Sequence, residues 1–342
     1  MEKKKFVAFG ELMLRLAPDG YLRLAQADRF NLNYTGAEGN MAIALSYMGI
    51  PSELITKLPN NDIGRCAKRM LTKFEVETRH IAWGGERLGV YYLERGASQR
   101  PSKVIYDRKH SSIAEADPSD FDWDEIFQNA GWFHFTGITA ALSENTRKIC
   151  EQACIAAKNH GVKVSCDLNY RKNLWTSQEA QRVMKPLMNY VDVCIANEED
   201  SEKVLGIRAS NTDITAGKLS LEGYSRLAEK LAKTYGFEKV AITLRESLSA
   251  SVNNWSALLY AGGKIYVSKK YTMQIVDRVG GGDSFASGLI YACLNDFDPQ
   301  EAVEFAAGAS CLKHSIEFDF NLSTVDEVMN LINGDGSGRV QR

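Results

Sequence analysis

The sequence predicts an α/β fold, a mainly parallel sheet flanked by helices on both faces, with a small β-sheet set over one end. Three observations predict it. Apolar runs of strand length alternate with amphipathic helical stretches along most of the chain, the pattern of strand–helix units. The polar residues with chemical potential fall just past strands, where open α/β sheets bind ligands. Between residues 76 and 112 the alternation lapses into two strands with no helix between them, which pair antiparallel and stand apart from a parallel layer.

The elements follow in chain order. Residues 6–10 form a buried first strand that stops at a glycine. Residues 11–35 lack helical periodicity and supply short strands away from the main sheet. A helix runs over 39–49, stopped by Gly49 and Pro51, then a strand over 52–58 and an amphipathic helix over 62–74 with Asp62 near its cap. The stretches 89–95 and 103–108 are strands joined by a polar loop that holds Pro101. After Pro118 the alternation returns: strand 132–137, helix 143–161, strands 163–169 and 191–197, helices 198–206 and 221–236 with a polar loop between them, and strand 239–244. Residues 255–275 hold two or three short strands. Helices follow Gly282, Pro299 and Ser323. The expected organisation is a single domain over residues 1–335, with a β lid from about 11–35 and 86–112, and a Gly-rich tail over 336–342.

Composition narrows the function. The 342 residues are 44% hydrophobic and 25% charged, which suits a large folded core and not disorder. A net charge of −2 leaves no electrostatic footprint for nucleic acid or an anionic membrane. The seven cysteines are odd in number and include no C-x-x-C pair, which points to a reduced, cytoplasmic setting. The basic start at residues 1–5 precedes an apolar run too short for a signal peptide or a membrane span. Neither a P-loop motif nor a G-x-G-x-x-G after the first strand is present, and no H-E-x-x-H or G-x-S-x-G occurs.

The most informative stretch runs from Asp277 to Gly288. Gly280, Gly281 and Gly282 lead into Asp283, with small and apolar residues behind at helical spacing. A helix starting here aims backbone N–H groups and the positive end of its dipole at an anion. Asp283 then stands where a base takes a proton from an attacking hydroxyl, as phosphoryl transfer to an alcohol requires. A tight turn capped by Asp is the plain alternative. At residues 35–40, Gly36 and Asn40 suit sugar hydroxyls, because an amide both donates and accepts; Asn40 as a helix cap is the other reading. Tyr91, Tyr106 and Arg108 lie on the extra strands, as cross-strand packing or as groups closing over a substrate. Arg108 and Arg171 suit a carboxylate, which a planar guanidinium binds bidentately. Past a strand, Glu198 and Glu199 read as dipole complements of a first turn, whereas Asn197 and Asp200 can instead organise water around Mg²⁺.

These motifs resemble the ribokinase-like carbohydrate kinases, the PfkB family, over about residues 6–332. Residues 36–40 resemble its N-terminal glycine motif, and 277–288 its C-terminal one. Gly-Val-Tyr-Tyr at 89–92, Tyr106-x-Arg108 and Asp167-x-Asn169-x-Arg171 before Leu174-Trp175 are most similar to the 2-keto-3-deoxygluconate kinase branch. The resemblance implies that Gly36, Asn40, Tyr91, Tyr106, Arg108 and Arg171 hold a sugar acid. It makes Asp283 the base on the terminal hydroxyl and Gly280–Gly282 the anion hole. ATP is the phosphoryl donor, near Asn197, Thr243, Arg245, Gly280, Gly282 and Gly308, with Mg²⁺ near Asn197 and Asp200 through water. A monovalent cation is a further candidate cofactor, and association of copies through the lid is expected. Arg245, Arg278, Asp200 and Glu317-Phe318 depart from the family pattern, Arg245 and Glu317-Phe318 near the expected nucleotide site. They keep two alternatives open: a kinase for a neutral ketose such as fructose, and a degenerate member that only binds sugar.

Overall fold

The computed structural model describes residues 4–208 and 221–334. The chain enters through β1 (Lys5–Phe9), then leaves the main layer for β2 (Met13–Ala17) and β3 (Asn31–Thr35). It returns through α1 (Ala37–Tyr47) and β4 (Ser52–Ile55). The strand expected over 52–58 breaks at Thr56. Its second part, β5 (Lys57–Leu58), pairs with β6 (Ala82–Trp83) after α2 (Asp62–Lys73), in a two-stranded sheet of its own. The cap of α2 is Asn61, whose side chain accepts from the Gly64 amide, one residue before the expected Asp62. Next come β7 (Gly89–Glu94) and β8 (Lys103–Asp107), antiparallel as expected.

The second half holds α3 (Trp123–Ile126), β9 (Ala130–Thr136), α4 (Gly137–Ala141), α5 (Glu144–Asn159), β10 (Lys163–Asp167), α6 (Ser177–Leu187), β11 (Val193–Ala196) and α7 (Glu198–Asp200). A π-helical turn over Ser201–Leu205 follows and ends at Gly206. Beyond it lie α8 (Leu221–Tyr235), β12 (Lys239–Ser247), β13 (Val252–Ala261), β14 (Lys264–Val267) and β15 (Tyr271–Gln274). The last elements are α9 (Gly281–Leu294), α10 (Pro299–Lys313) and α11 (Val325–Ile332). The polar loop expected before α8 and the Gly-rich tail at 336–342 lie largely or wholly outside the described residues. Helix α6 forms where the sequence pattern assigns no element. Thr176 caps it through the Glu179 amide, and Pro186 falls in its last turn, where a missing N–H disrupts the reading of a helical period.

One nine-stranded sheet runs β14-β13-β12-β11-β10-β9-β1-β4, with β15 also on β13. From β12 to β4 every pairing is parallel; β13, β14 and β15 add an antiparallel edge. Side chains along β1 alternate between two apolar layers. Phe6 and Ala8 face the layer formed with α1, α2, α9, α10 and α11; Val7 and Phe9 face that of α3, α4, α5, α6 and α8. Cys150, Cys154, Cys166 and Cys194 are buried in this second layer, and all seven cysteines are unpaired. Chain order reverses at β1, with β4 on one side and β9 on the other. That reversal opens a crevice at the carboxyl ends of the strands. A four-stranded sheet, β3-β2-β7-β8, stands over the crevice. Among the described residues no helix is long and apolar enough to cross a membrane.

Candidate active site

A cavity of about 660 Å³ occupies the crevice between the small sheet and the strand ends. Its floor is the start of α9. Gly280 caps that helix in the left-handed region, at φ 82°, and a Cβ there would lie 1.9 Å from the Asp319 carbonyl oxygen. The Gly281 amide reaches the Arg278 carbonyl and the Ser284 amide that of Gly280. Among the described residues the amides of Gly282 and Asp283 meet no acceptor, so the floor presents two free donors at the positive end of a fourteen-residue helix.

Asp283 stands on that first turn. Helix α1 packs beside α9 and brings Asn40 to it across 243 residues of sequence: Asn40 Nδ2 donates to Asp283 Oδ2 at 2.7 Å. Asn40 is not the cap of α1, as one reading of the sequence had it; Gly36 is, and helix α1 begins at Ala37. The Asn40 side-chain oxygen nevertheless accepts from Thr35 Oγ1 at 2.7 Å, which fixes the amide's orientation and aims its NH₂ at Asp283. Gly36 is needed for close approach, since a Cβ there would sit 1.9 Å from the Glu11 carbonyl. Burial pushes the Asp283 carboxyl up to about 6; the Asn40 hydrogen bond pulls the other way, and the charges of Glu38 and Asp319 push further up.

The small sheet forms one wall. Tyr91, Tyr106 and Arg108 all line the cavity, yet two of them are already engaged. Tyr91 donates to Asp319 Oδ1 at 2.6 Å. Arg108 places both Nε and Nη2 on Glu11 Oε2, whose other oxygen accepts from Ser111. The expected carboxylate clamp of Arg108 is thus filled by a carboxylate of the chain itself. Tyr106 is 42% exposed at the rim.

Strand ends form the opposite wall. Past β10, Arg171 lines the cavity, is exposed, and bonds only the Tyr170 carbonyl among the described residues. At the end of β11 the Asn197 side chain caps the Asp200 amide at 2.8 Å, while Asp200 Oδ1 accepts from the Tyr170 amide at 3.0 Å. Burial lifts Asp200 to about 6 and, with repulsion from Asp200 and Asp283, holds Asp167 well above the carboxylate range. Thr243 and Arg245, on β12, and Arg278 complete this wall. Gly308 does not line the cavity: a Cβ there would meet Ile332 and Val328 of α11, so its small size serves helix packing.

Several site residues carried no role in the sequence reading. Buried Glu38 accepts from the Thr136 amide and from the hydroxyls of Thr136 and Thr139, tying α1 to the end of β9. Glu11 and Asp319 hold Arg108 and Tyr91. The signal was available for Asp319 only through its place after a departing dipeptide, and for Glu11 not at all.

The described residues contain no group of three or more His, Cys, Asp or Glu able to cage a metal ion. The donor set fits Mg²⁺, which keeps several waters and takes few protein ligands: Asn197, Asp167 and Asp200 lie together with a surplus of negative charge.

A profile of the pfkB family carbohydrate kinases matches residues 3–315, and the chain belongs to that family. It is similar to a 2-dehydro-3-deoxygalactonokinase of Haloferax volcanii, 32% identical over 98% of both chains. It is also similar to a 2-dehydro-3-deoxygluconokinase of Thermoproteus tenax, 26% identical over 92% of this chain and 89% of that one. The crystal structure of a 2-dehydro-3-deoxygluconokinase from Thermotoga maritima superposes with a TM-score of 0.94 at 52% identity, over 97% of this chain and all of the other.

Proposed function

We propose that the chain transfers the γ-phosphoryl group of ATP to the terminal primary hydroxyl of 2-keto-3-deoxygluconate, in the cytoplasm. The observation that carries this reading is Asp283, oriented by Asn40 and set on a helix start with two free amides, inside a cavity large enough for both substrates. Asp283 accepts the hydroxyl proton as its oxygen attacks phosphorus. The amides of Gly282 and Asp283 stabilise charge on the transferring group, without reorganisation at the moment of reaction. Arg171, which forms no direct ion pair among the described residues although Asp167, Asp200 and Asp283 act on it at longer range, takes the sugar carboxylate. Thr243 and Arg245 receive the nucleotide. Asn197 and Asp200 hold Mg²⁺ through water, and the bound ion neutralises phosphate charge. The small sheet serves as a lid. Its outer face exposes Leu32 and Ile105, apolar positions that a second copy covers.

The test is sugar-dependent ADP release over a panel of 2-keto-3-deoxygluconate, its galactonate epimer, fructose and ribose, repeated with Na⁺ and K⁺ exchanged. Preference for the two sugar acids is expected. Equal or better turnover of fructose overturns the acid assignment, and sugar binding without ADP release in any case establishes the degenerate alternative. Sedimentation of the chain and of Ile105→Lys checks association through the lid.

A further inference from the structure

We propose that Arg15 is a positioning residue for phosphoryl transfer: from the small sheet it clamps Asp277 and Asp319, the two residues that fix the bend of the anion hole. The proposal rests on the reading of residues 280–283 as the place of transfer. The sequence of β2, Met-Leu-Arg-Leu-Ala, alternates buried and half-buried positions, which puts Met13, Arg15 and Ala17 on the inner face. Met13, Ala17, Tyr91 and Leu93 form an apolar cluster there, packed against Val279. Into this cluster Arg15, 1% exposed as a residue, inserts its guanidinium. Its Nη1 donates to Asp319 and its Nη2 to Asp277, while Phe318 lies 5.5 Å from the guanidinium. Tyr91, directly across from Arg15 in the pairing of β2 with β7, adds its hydroxyl to Asp319.

Both carboxylates belong to the glycine bend. Asp277 Oδ1 accepts from the Val279 amide at 3.1 Å, and its carbonyl accepts from the buried Lys313 ammonium at 3.1 Å. Asp319 presses its backbone carbonyl against Gly280, into the space a side chain would fill. The geometry of the two free amides is thus set by residues 277 and 319, and their spacing is set by one guanidinium spanning both.

Chemistry gives the clamp a second purpose. Two acids at an anion-binding site, Asp319 in its wall and Asp277 behind it, carry the wrong sign for a triphosphate. Arg15 offsets one of the two charges while holding both, and the buried Lys313 ammonium, which also feels Asp277 and Asp319, offsets the other. A buried ion cluster is weak as a stabiliser compared with apolar packing, so its presence beneath the amides is better explained by geometry and sign than by fold stability. Anion holes act through donors placed to within a fraction of an ångström, and a small displacement costs turnover before it costs binding.

The test compares wild type, Arg15→Lys and Arg15→Met in the ADP-release assay at saturating ATP, with folding checked by circular dichroism and sugar affinity by calorimetry. The expected result is a kcat loss of about tenfold or more in Arg15→Met, with sugar affinity changed by less than about threefold. Arg15→Lys, whose ammonium meets one carboxylate at a time, recovers part of the loss. A folded Arg15→Met with kcat near wild type, or one that loses only sugar affinity, overturns the assignment. If Arg15→Met does not fold, the neutral triple variant R15M/D277N/D319N decides: a comparable loss supports the clamp, and wild-type kcat overturns it. A wild-type chain that releases no ADP with any acceptor overturns the transfer reading along with the clamp, whereas loss confined to the variants leaves the transfer reading intact.

Discussion

The two walls of the cavity differ in how their charges are settled. Under the small sheet the charged and catalytic groups already have partners: Arg108 with Glu11, Tyr91 with Asp319, Asn40 with Asp283. Along the strand ends the arginines stand open. Among the described residues neither Arg245 nor Arg278 forms an ion pair; burial and repulsion from Arg245 both lower the Arg278 pKa, and Arg171 holds only a carbonyl. The first wall holds a shape before any ligand arrives. The second carries arginine charge that acids offset only at longer range, Asp167, Asp200 and Asp283 around Arg171 and Asp277 beside Arg278, and that an incoming anion can meet directly. A substitution on the first wall is therefore expected to damage the protein itself, and one on the second to damage a binding constant.

Asp283→Asn tests the junction of the two walls. It keeps the hydrogen-bonding shape but removes the base, so kcat falls about a thousandfold while sugar affinity is kept; calorimetry beside turnover separates the two, and normal turnover removes Asp283 from its role. On the partnered wall, Arg108→Ala leaves Glu11 buried and alone. Chemical denaturation should register a loss of about 3 kcal/mol or more, the cost of breaking a buried pair. Unchanged stability would mean that Arg108 waits for substrate after all. On the open wall, Arg171→Ala should raise KM for 2-keto-3-deoxygluconate about thirtyfold with little change in stability, and leave neutral sugars nearly untouched. Equal losses on acidic and neutral sugars would argue against carboxylate recognition. Arg245→Ala should raise KM for ATP by roughly tenfold, less than Arg171→Ala affects the sugar, because an exposed guanidinium is screened by water and salt.

The smallest expected effect is a shift along the pH axis. As the proposed base, Asp283 must be deprotonated to act, and burial chiefly raises its pKa to about 6. Turnover should fall as pH drops through about 6. The Asn40 hydrogen bond favours the charged form, so Asn40→Ala should move this acid limb to higher pH. A limb that stays in place would assign it to another group, Asp200 being the nearest match in value.

Much of this was legible in the sequence. Strand–helix alternation gave the parallel layer, and three glycines before an acid gave the helix start whose amides face the cavity. Most residues expected in the site do line one cavity. The failures have physical causes. Helix α6 is hidden by Pro186, because periodicity counts side chains and cannot see that a missing N–H near a helix end is tolerated. The break at Thr56 depends on β6 being near, which no local pattern reports. Gly308 looks like any glycine beside a ligand until α11 is seen against it. Glu11, Arg15 and Asp319 act through partners tens to hundreds of positions away. Pairing of that kind is a property of the packed chain, and a sequence read locally holds no trace of it.

The four thiols sealed beneath the sheet have a practical use. Burial raises the pKa of Cys150, Cys154, Cys166 and Cys194, so each stays a protonated, inert group while the layer is closed. Cys66, Cys293 and Cys311 are partly open. An alkylating reagent should therefore modify the chain in two phases: first Cys66, Cys293 and Cys311, the latter two slowed because burial raises the pKa of their thiols as well, and then the other four only as fast as the layer opens. Any compound that occupies the crevice slows the second phase. Candidate acceptors and nucleotides can then be ranked by mass spectrometry alone, with no turnover to follow.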